Sequence, residues 1–140
     1  MNQIFALDHL IRFAHCDPAA IVYFPDFLDL AHSTMEDWLR EGVGCALPDL
    51  IRQRRIGTPT VNLQCDFIKP VEMGQILRYE LRVQKLGNAS VQLEHRGVRD
   101  GTEHVRISQT IVFMNLDTQK AVPIPADLRP AIEKYLCTTS

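Results

Sequence analysis

The chain has 140 residues, a formal net charge of −2, 46% hydrophobic residues and 23% charged ones. That length suits one domain, residues 1–140, able to bury about 68–70% of its unfolded surface without disulfide or metal staples. The near-neutral charge argues against nucleic acid as a partner, and the lack of a long apolar run argues against a membrane.

Cys16, Cys45, Cys65 and Cys137 are scattered with no ligand-like spacing, which predicts neither a disulfide framework nor a metal site. The first ten residues contain Asp8 and His9 and lack the apolar core of a signal peptide, so a cytoplasmic protein is expected.

In chain order, a strand is expected near His9 to Phe13. The run from Phe13 to Phe27 follows, with Asp17 placed directly before Pro18. A residue before proline is biased to extended or turn backbone, and aspartate commonly organises turns, which is one reading of Asp17. A second reading comes from the helix start just downstream, whose first N–H groups are free and attract negative charge. Acyl transfer needs a nucleophile or base together with an oxyanion stabiliser, and this stretch holds both. If the loop folds back, a thioester carbonyl can point at those N–H groups while Asp17 faces the carbonyl carbon. Cys16 adjoins His15, but neighbours in an extended segment point to opposite sides, so His15 does not readily deprotonate it.

The spacing predicts a helix from about Pro25 to Glu41. Phe27, Leu28, Ala31, Met35, Trp38 and Leu39 form its apolar stripe, and Asp26, Asp29, Ser33, Glu36, Asp37 and Arg40 fall mostly on the other face. Pro25 suits the first helical position, Asp26 and Asp29 complement the positive helix end, and Gly42 and Gly44 supply a stop. Beyond a short segment at Pro48 to Arg55, period-two alternation predicts antiparallel strands over Val61–Phe67, Leu77–Gln84, Val91–Glu94 and Val105–Phe113. Pro70 with Gly74, Gly87-Asn88 and Asp100-Gly101 mark the turns between them. One long amphipathic helix with such strands is a layered α+β domain. The helix covers one sheet face, and pairing with another subunit is favoured for the other.

The run Asp17-Pro18-Ala19 to Tyr23-Phe24-Pro25 resembles the active-site signature of hotdog-fold acyl-CoA thioesterases, particularly the 4-hydroxybenzoyl-CoA thioesterase group. Phe67-Ile68-Lys69-Pro70-Val71 with Gly74, Gly57-Thr58-Pro59 and Ile124-Pro125-Ala126-Asp127 are similar to that family as well, so the likeness spans nearly the whole chain. The resemblance implies a hotdog fold, a long central helix wrapped by a five- to six-stranded antiparallel sheet. It implies Asp17 as the catalytic carboxylate, nucleophile or base for water, and the Phe24 backbone N–H as the group polarising the carbonyl. Tyr23 would line the acyl pocket. The site would lie between subunits of a homodimer, assembled into a homotetramer, with helix residues of one chain facing Thr58 and Thr60 of another. Three positions depart from the pattern. His15 stands where a second acid is common, Ala20 where glycine is common, and His32 where the 4-hydroxybenzoyl group has an acid suited to a phenolic hydroxyl.

Coenzyme A enters as part of the substrate, so no separate cofactor is expected, and its phosphates call for a basic rim. In the turn where close family members are basic, Lys85-Leu86-Gly87-Asn88-Ala89-Ser90 retains only Lys85, with Ser90 as a polar contact. Arg52, Arg54 and Arg55 form the densest cationic cluster in the chain, and Lys120 is another candidate. A solvated face explains these charges equally well. The expected activity is hydrolysis of an aromatic acyl-CoA of benzoyl or hydroxybenzoyl type. A short-chain acyl-CoA or acyl-carrier-protein thioesterase and a non-catalytic acyl-thioester-binding module are the alternatives.

Overall fold

The computed structural model describes residues 3–137. Its main sheet has five strands: β1 (Phe5–Leu10), β3 (Thr60–Phe67), β4 (Ile76–Leu86), β5 (Ser90–Arg99) and β6 (Thr102–Val112). Their order is β1-β4-β5-β6-β3, and every neighbouring pair is antiparallel. Helix α1 (Phe24–Trp38) packs on one face, which is the hotdog arrangement of a long helix held in a wrapped sheet. A small sheet of β2 (Ile56–Gly57), β7 (Met114–Asn115) and β8 (Lys120–Ala121) and two short helices, α2 (Leu47–Arg52) and α3 (Arg129–Glu133), complete the domain.

Alternation decides which side chains enter the core. Leu77, Tyr79, Leu81 and Val83 of β4, Val91 and Leu93 of β5, and Val105, Ile107 and Ile111 of β6 are all fully buried. One apolar cluster lies under the second half of α1 around Met35, Trp38 and Phe113. Another lies under its first half and includes Ile11, Val22, Phe27 and Val71, so it anchors both the segment before α1 and the helix start. Hydrophobic burial of this kind supplies about 1.5–3 kcal/mol for each large side chain removed from water.

Three expectations shift. The first strand runs over Phe5–Leu10, whereas Phe13–His15 form a single 3-10 turn in which the Arg12 N–H donates to His15 Nδ1 at 2.8 Å. On α1 the buried set is Phe27, Leu30, Ala31, Thr34, Met35 and Trp38, so Leu30 and Thr34 replace Leu28 in the core. Thr34 is accommodated because its hydroxyl donates to the Leu30 carbonyl at 2.8 Å and lies 2.9 Å from His9 Nε2. Finally, α1 widens into a π turn over Leu39–Val43, and only Gly44, with φ 93°, ends it. Gly42 serves packing instead, since a Cβ there would lie 2.8 Å from both Trp38 Cδ1 and the Tyr135 hydroxyl.

Candidate active site

Asp17 stands at the head of a tight hairpin. Its N–H donates to the Ile21 carbonyl at 3.0 Å, the Ala20 N–H donates back to the Asp17 carbonyl at 2.9 Å, and the Tyr23 N–H reaches the His15 carbonyl at 2.9 Å. Proline second in such a turn and a left-handed residue closing it are the pattern of a three-residue hairpin loop. Here the left-handed position is Ala20, with φ 62°, which explains why glycine is the usual choice at that point. The Asp17 side chain takes part: Oδ1 accepts the Ala19 N–H at 2.9 Å. The turn-organising reading is therefore realised with one carboxylate oxygen. Oδ2 takes no hydrogen bond among the described residues, so the same group keeps an oxygen for chemistry.

The opposite arm of the hairpin runs into α1. Of its first three residues, Pro25 has no N–H and the Asp26 N–H donates to the Tyr23 carbonyl at 2.8 Å. Among the described residues this leaves the Phe24 N–H as the single unpaired donor of the first helical position, where the sequence suggested a set. Phe24 follows Tyr23, the partner of His15, so it lies three residues along the arm from Ile21, the partner of Asp17, about 10 Å at ~3.3 Å per residue.

His15 and Cys16 do not extend this site. The His15 ring is folded onto its own turn through the bond from the Arg12 N–H. The Cys16 thiol points to the Arg12 carbonyl at 3.4 Å, and desolvation, with the nearby charges of Asp17 and Asp26, raises its pKa. A thiol so placed is poorly activated. Tyr23 is half exposed, with its ring edge-on to Phe24 at 5.4 Å between centroids, and Phe24 meets Phe67 in the same manner at 6.0 Å.

Alongside the first turns of α1 runs a groove of about 360 Å³ lined by Leu28, Asp29, His32, Thr60, Leu63 and Gln109, among others. Apolar walls with a few convergent polar groups are the usual form of a small-molecule site. His32 and Thr60 thus line the same groove of one chain. His32 is tied to Glu36 at 3.0 Å, one turn further along the helix, while Asp29, one turn before it, supplies a carboxylate to the groove. Thr58 is instead buried, in the link between β2 and β3.

Residues 11–132 match the thioesterase-like superfamily. The chain belongs to that superfamily. It is 31% identical over 119 residues to the 1,4-dihydroxy-2-naphthoyl-CoA hydrolase of Thermosynechococcus vestitus, which covers 84% of this chain and 81% of the relative. The fold is shared with a thioesterase superfamily protein of Jannaschia sp. CCS1, with a TM-score of 0.89, 29% identity and coverage of 99% and 96% of the two chains. The 1,4-dihydroxy-2-naphthoyl-CoA thioesterase of Synechocystis aligns with a TM-score of 0.81 over 93% of this chain and 96% of its own; at 24% identity it attests the fold. This superfamily member is a thioester hydrolase. The matches reach the superfamily and do not single out its 4-hydroxybenzoyl-CoA group.

For this thioesterase-like protein the basic rim needs revision. Arg52, Arg54 and Arg55 do not act as one patch, because Arg54 binds Asp127 through two bonds of 2.9 and 2.6 Å and Arg55 binds Asp117 at 2.9 Å. Their partners lie 73 and 62 positions away, which adjacency in sequence does not reveal. Arg52 remains exposed at the end of α2, Lys120 exposed in β8, and Lys85 exposed on β4 beside Ser90 at the start of β5. The β4–β5 turn, closed by the Gly87 N–H donating to the Ser90 carbonyl at 2.8 Å, gains a second cation that sequence reasoning missed. Arg129 of α3 donates to the Gly87 carbonyl at 2.9 Å. His95 and Gln109 were also missed; their signal was a polar residue at an inward-facing strand position.

Proposed function

We propose that the protein hydrolyses an aromatic acyl-CoA to the free acid and coenzyme A, with Asp17 as the reacting carboxylate and the Phe24 N–H as the donor to the thioester oxygen. The observation that carries this reading is the hairpin itself. It presents a carboxylate with one free oxygen and, three residues beyond Ile21 on the opposite arm, the N–H of a helix start that is unpaired among the described residues. Charge that develops on the carbonyl oxygen is stabilised by that N–H and the positive helix end. As base, Asp17 takes a proton from water, the hydroxide adds to the carbonyl carbon, and the C–S bond breaks as coenzyme A thiolate leaves and is reprotonated. As nucleophile, its oxygen adds instead, the C–S bond of the adduct breaks as thiolate leaves and is protonated, and water then cleaves the resulting mixed anhydride to the free acid and the restored Asp17 carboxylate. Both routes use the same two groups.

The relative's substrate, a dihydroxynaphthoyl thioester, and the groove beside α1 support an aromatic acyl group that carries ring oxygens. The hydroxybenzoyl and dihydroxynaphthoyl thioesters are the two leading substrates. Tyr23, His32 and Thr60 are proposed to contact or border the acyl group, and the buried Thr58, outside the groove lining, is not. Lys85 and Ser90, with Arg129 beside them, support a coenzyme A phosphate contact at the β4–β5 turn better than Arg52 or Lys120. A homodimer, built further into a tetramer, is proposed through β3. That strand forms a sheet edge, and Val61, Leu63 and Phe67 along it are exposed apolar side chains. A cytoplasmic location is proposed with it; among the described residues no helix is long and apolar enough to cross a membrane.

Thiol release from benzoyl-, hydroxybenzoyl-, 1,4-dihydroxy-2-naphthoyl- and short aliphatic acyl-CoAs tests the reading. Highest kcat/KM on a hydroxylated aromatic thioester is expected. Release from none of them by folded protein would refute hydrolysis, and preference for an aliphatic chain would refute the aromatic class.

A further inference from the structure

Behind the groove runs a line of polar side chains that the hydrolytic step does not use. His95 occupies an inward position of β5 with no exposed surface, and its Nε2 lies 2.9 Å from Oε1 of Gln109. Gln109, on β6 and only 4% exposed, donates from Nε2 to the Thr60 hydroxyl oxygen at 2.8 Å. Thr60 is exposed and lines the groove together with Asp29, His32 and Gln109.

The direction of each hydrogen follows from chemistry. A carbonyl oxygen can only accept, so His95 donates through Nε2–H, and its Nδ1 is a bare lone pair. Among the described residues that atom has no hydrogen-bond partner. With the amide reversed, Gln109 would donate to Nε2 and force the ring hydrogen onto Nδ1, where it would be a buried, unpaired N–H. Orphaned donors are rarer in folded proteins than orphaned acceptors. The hydrogens therefore run outward, from His95 to Gln109 and from Gln109 to Thr60. The Thr60 oxygen is already used as an acceptor, so its own hydrogen is left for the groove. Hydrogen bonds aligned head to tail polarise one another, which strengthens the last donor.

We propose that Gln109, backed by His95, is a positioning residue that sets acyl specificity, holding Thr60 as a hydrogen-bond donor toward a ring oxygen of the acyl group. The inference rests on the aromatic acyl-CoA reading above. A phenolic hydroxyl suits the groove on two counts, because it accepts from Thr60 and can donate to the carboxylate of Asp29.

Hydrolysis-resistant thioethers, phenacyl-CoA and its ring-hydroxylated derivatives, separate this proposal from turnover. Calorimetric Kd values for wild type should favour the best hydroxylated ligand by about tenfold, the worth of one well-placed hydrogen bond. Gln109→Met should cut that preference to about threefold or less while Kd for phenacyl-CoA itself stays within about twofold. Thr60→Val should do the same, and the double variant should lose no more than either alone. A merely structural role for Gln109 would weaken both ligands alike, and that result overturns the proposal. So does a preference that survives in Gln109→Met, or losses that add in the double variant. Thr60 is exposed, so Thr60→Val carries the test even if Gln109→Met does not fold; an unchanged preference there overturns the proposal. Binding of none of the thioethers by wild type would sink the acyl-CoA reading itself, a result distinct from loss of preference.

Discussion

Replacing Ala20 by glycine should stabilise the protein. Ala20 closes the Asp17 turn at φ 62°, and left-handed backbone costs an L-residue about 1–2 kcal/mol that glycine does not incur. Glycine loosens the unfolded chain, which takes back about 0.4–1 kcal/mol. Ala20 is exposed, so little packing is lost with its methyl group. The net expectation is a gain of about 0.5–1 kcal/mol, or roughly 1–4 °C in Tm for a domain of this size. Thermal unfolding of both proteins at equal concentration measures it, because subunit association makes Tm depend on concentration. Ala20→Val should move the other way, since a β-branched side chain is a genuine outlier in that region. A lower Tm for Ala20→Gly, or equal Tm values for the glycine and valine variants, would show that the turn is not strained at this position.

Gly42→Ala should cost about 1–3 kcal/mol by overpacking Trp38 and the Tyr135 hydroxyl, read as a lower urea midpoint; an unchanged midpoint would contradict the packing of the π turn. Burial lowers the pKa of His95 to about 4 from 6.5. Its unfolded state therefore binds the extra proton first, and stability falls as pH drops through that window. At about 1.4 kcal/mol per unit the loss is about 3 kcal/mol by pH ~4. Urea unfolding across the window should show it, and His95→Gln should flatten that slope; equal slopes would refute the assignment. Val61→Lys should convert a dimer to a monomer in light scattering without loss of secondary structure, since lysine on an edge strand opposes pairing. Wild type that is already monomeric would refute pairing through β3.

Much of the fold was legible because alternation maps directly onto burial. The inward residues Leu77, Tyr79, Leu81 and Val83 of β4 could be named from parity alone, as could most of the helix stripe. The same rule turns Gln109 inward, since it shares parity with Ile107 and Ile111, but gives it no role. Its partners were not legible, because the His95–Gln109–Thr60 line depends on strand register and on a bulge between Thr60 and Asn62. The π turn escaped because it reflects the close approach of Trp38 and Tyr135 around Gly42, a tertiary contact with no local signature. Charges misled for a similar reason: Arg54 and Arg55 are adjacent in the chain but are drawn to Asp127 and Asp117, on separate segments. In the Asp17 run the two readings of the carboxylate, turn organiser and reactive group, prove compatible, since the turn engages only Oδ1.

That compatibility makes Asp17→Asn the most direct test of the central claim. Asparagine keeps a carbonyl oxygen to accept the Ala19 N–H, so the turn and the melting temperature should be preserved, while the charge and basicity of the side chain are lost. Thiol release from the best aromatic acyl-CoA should fall by about 10²–10⁴-fold with coenzyme A affinity little changed. Turnover within a few-fold of wild type, in a variant that folds and binds coenzyme A normally, would contradict the account.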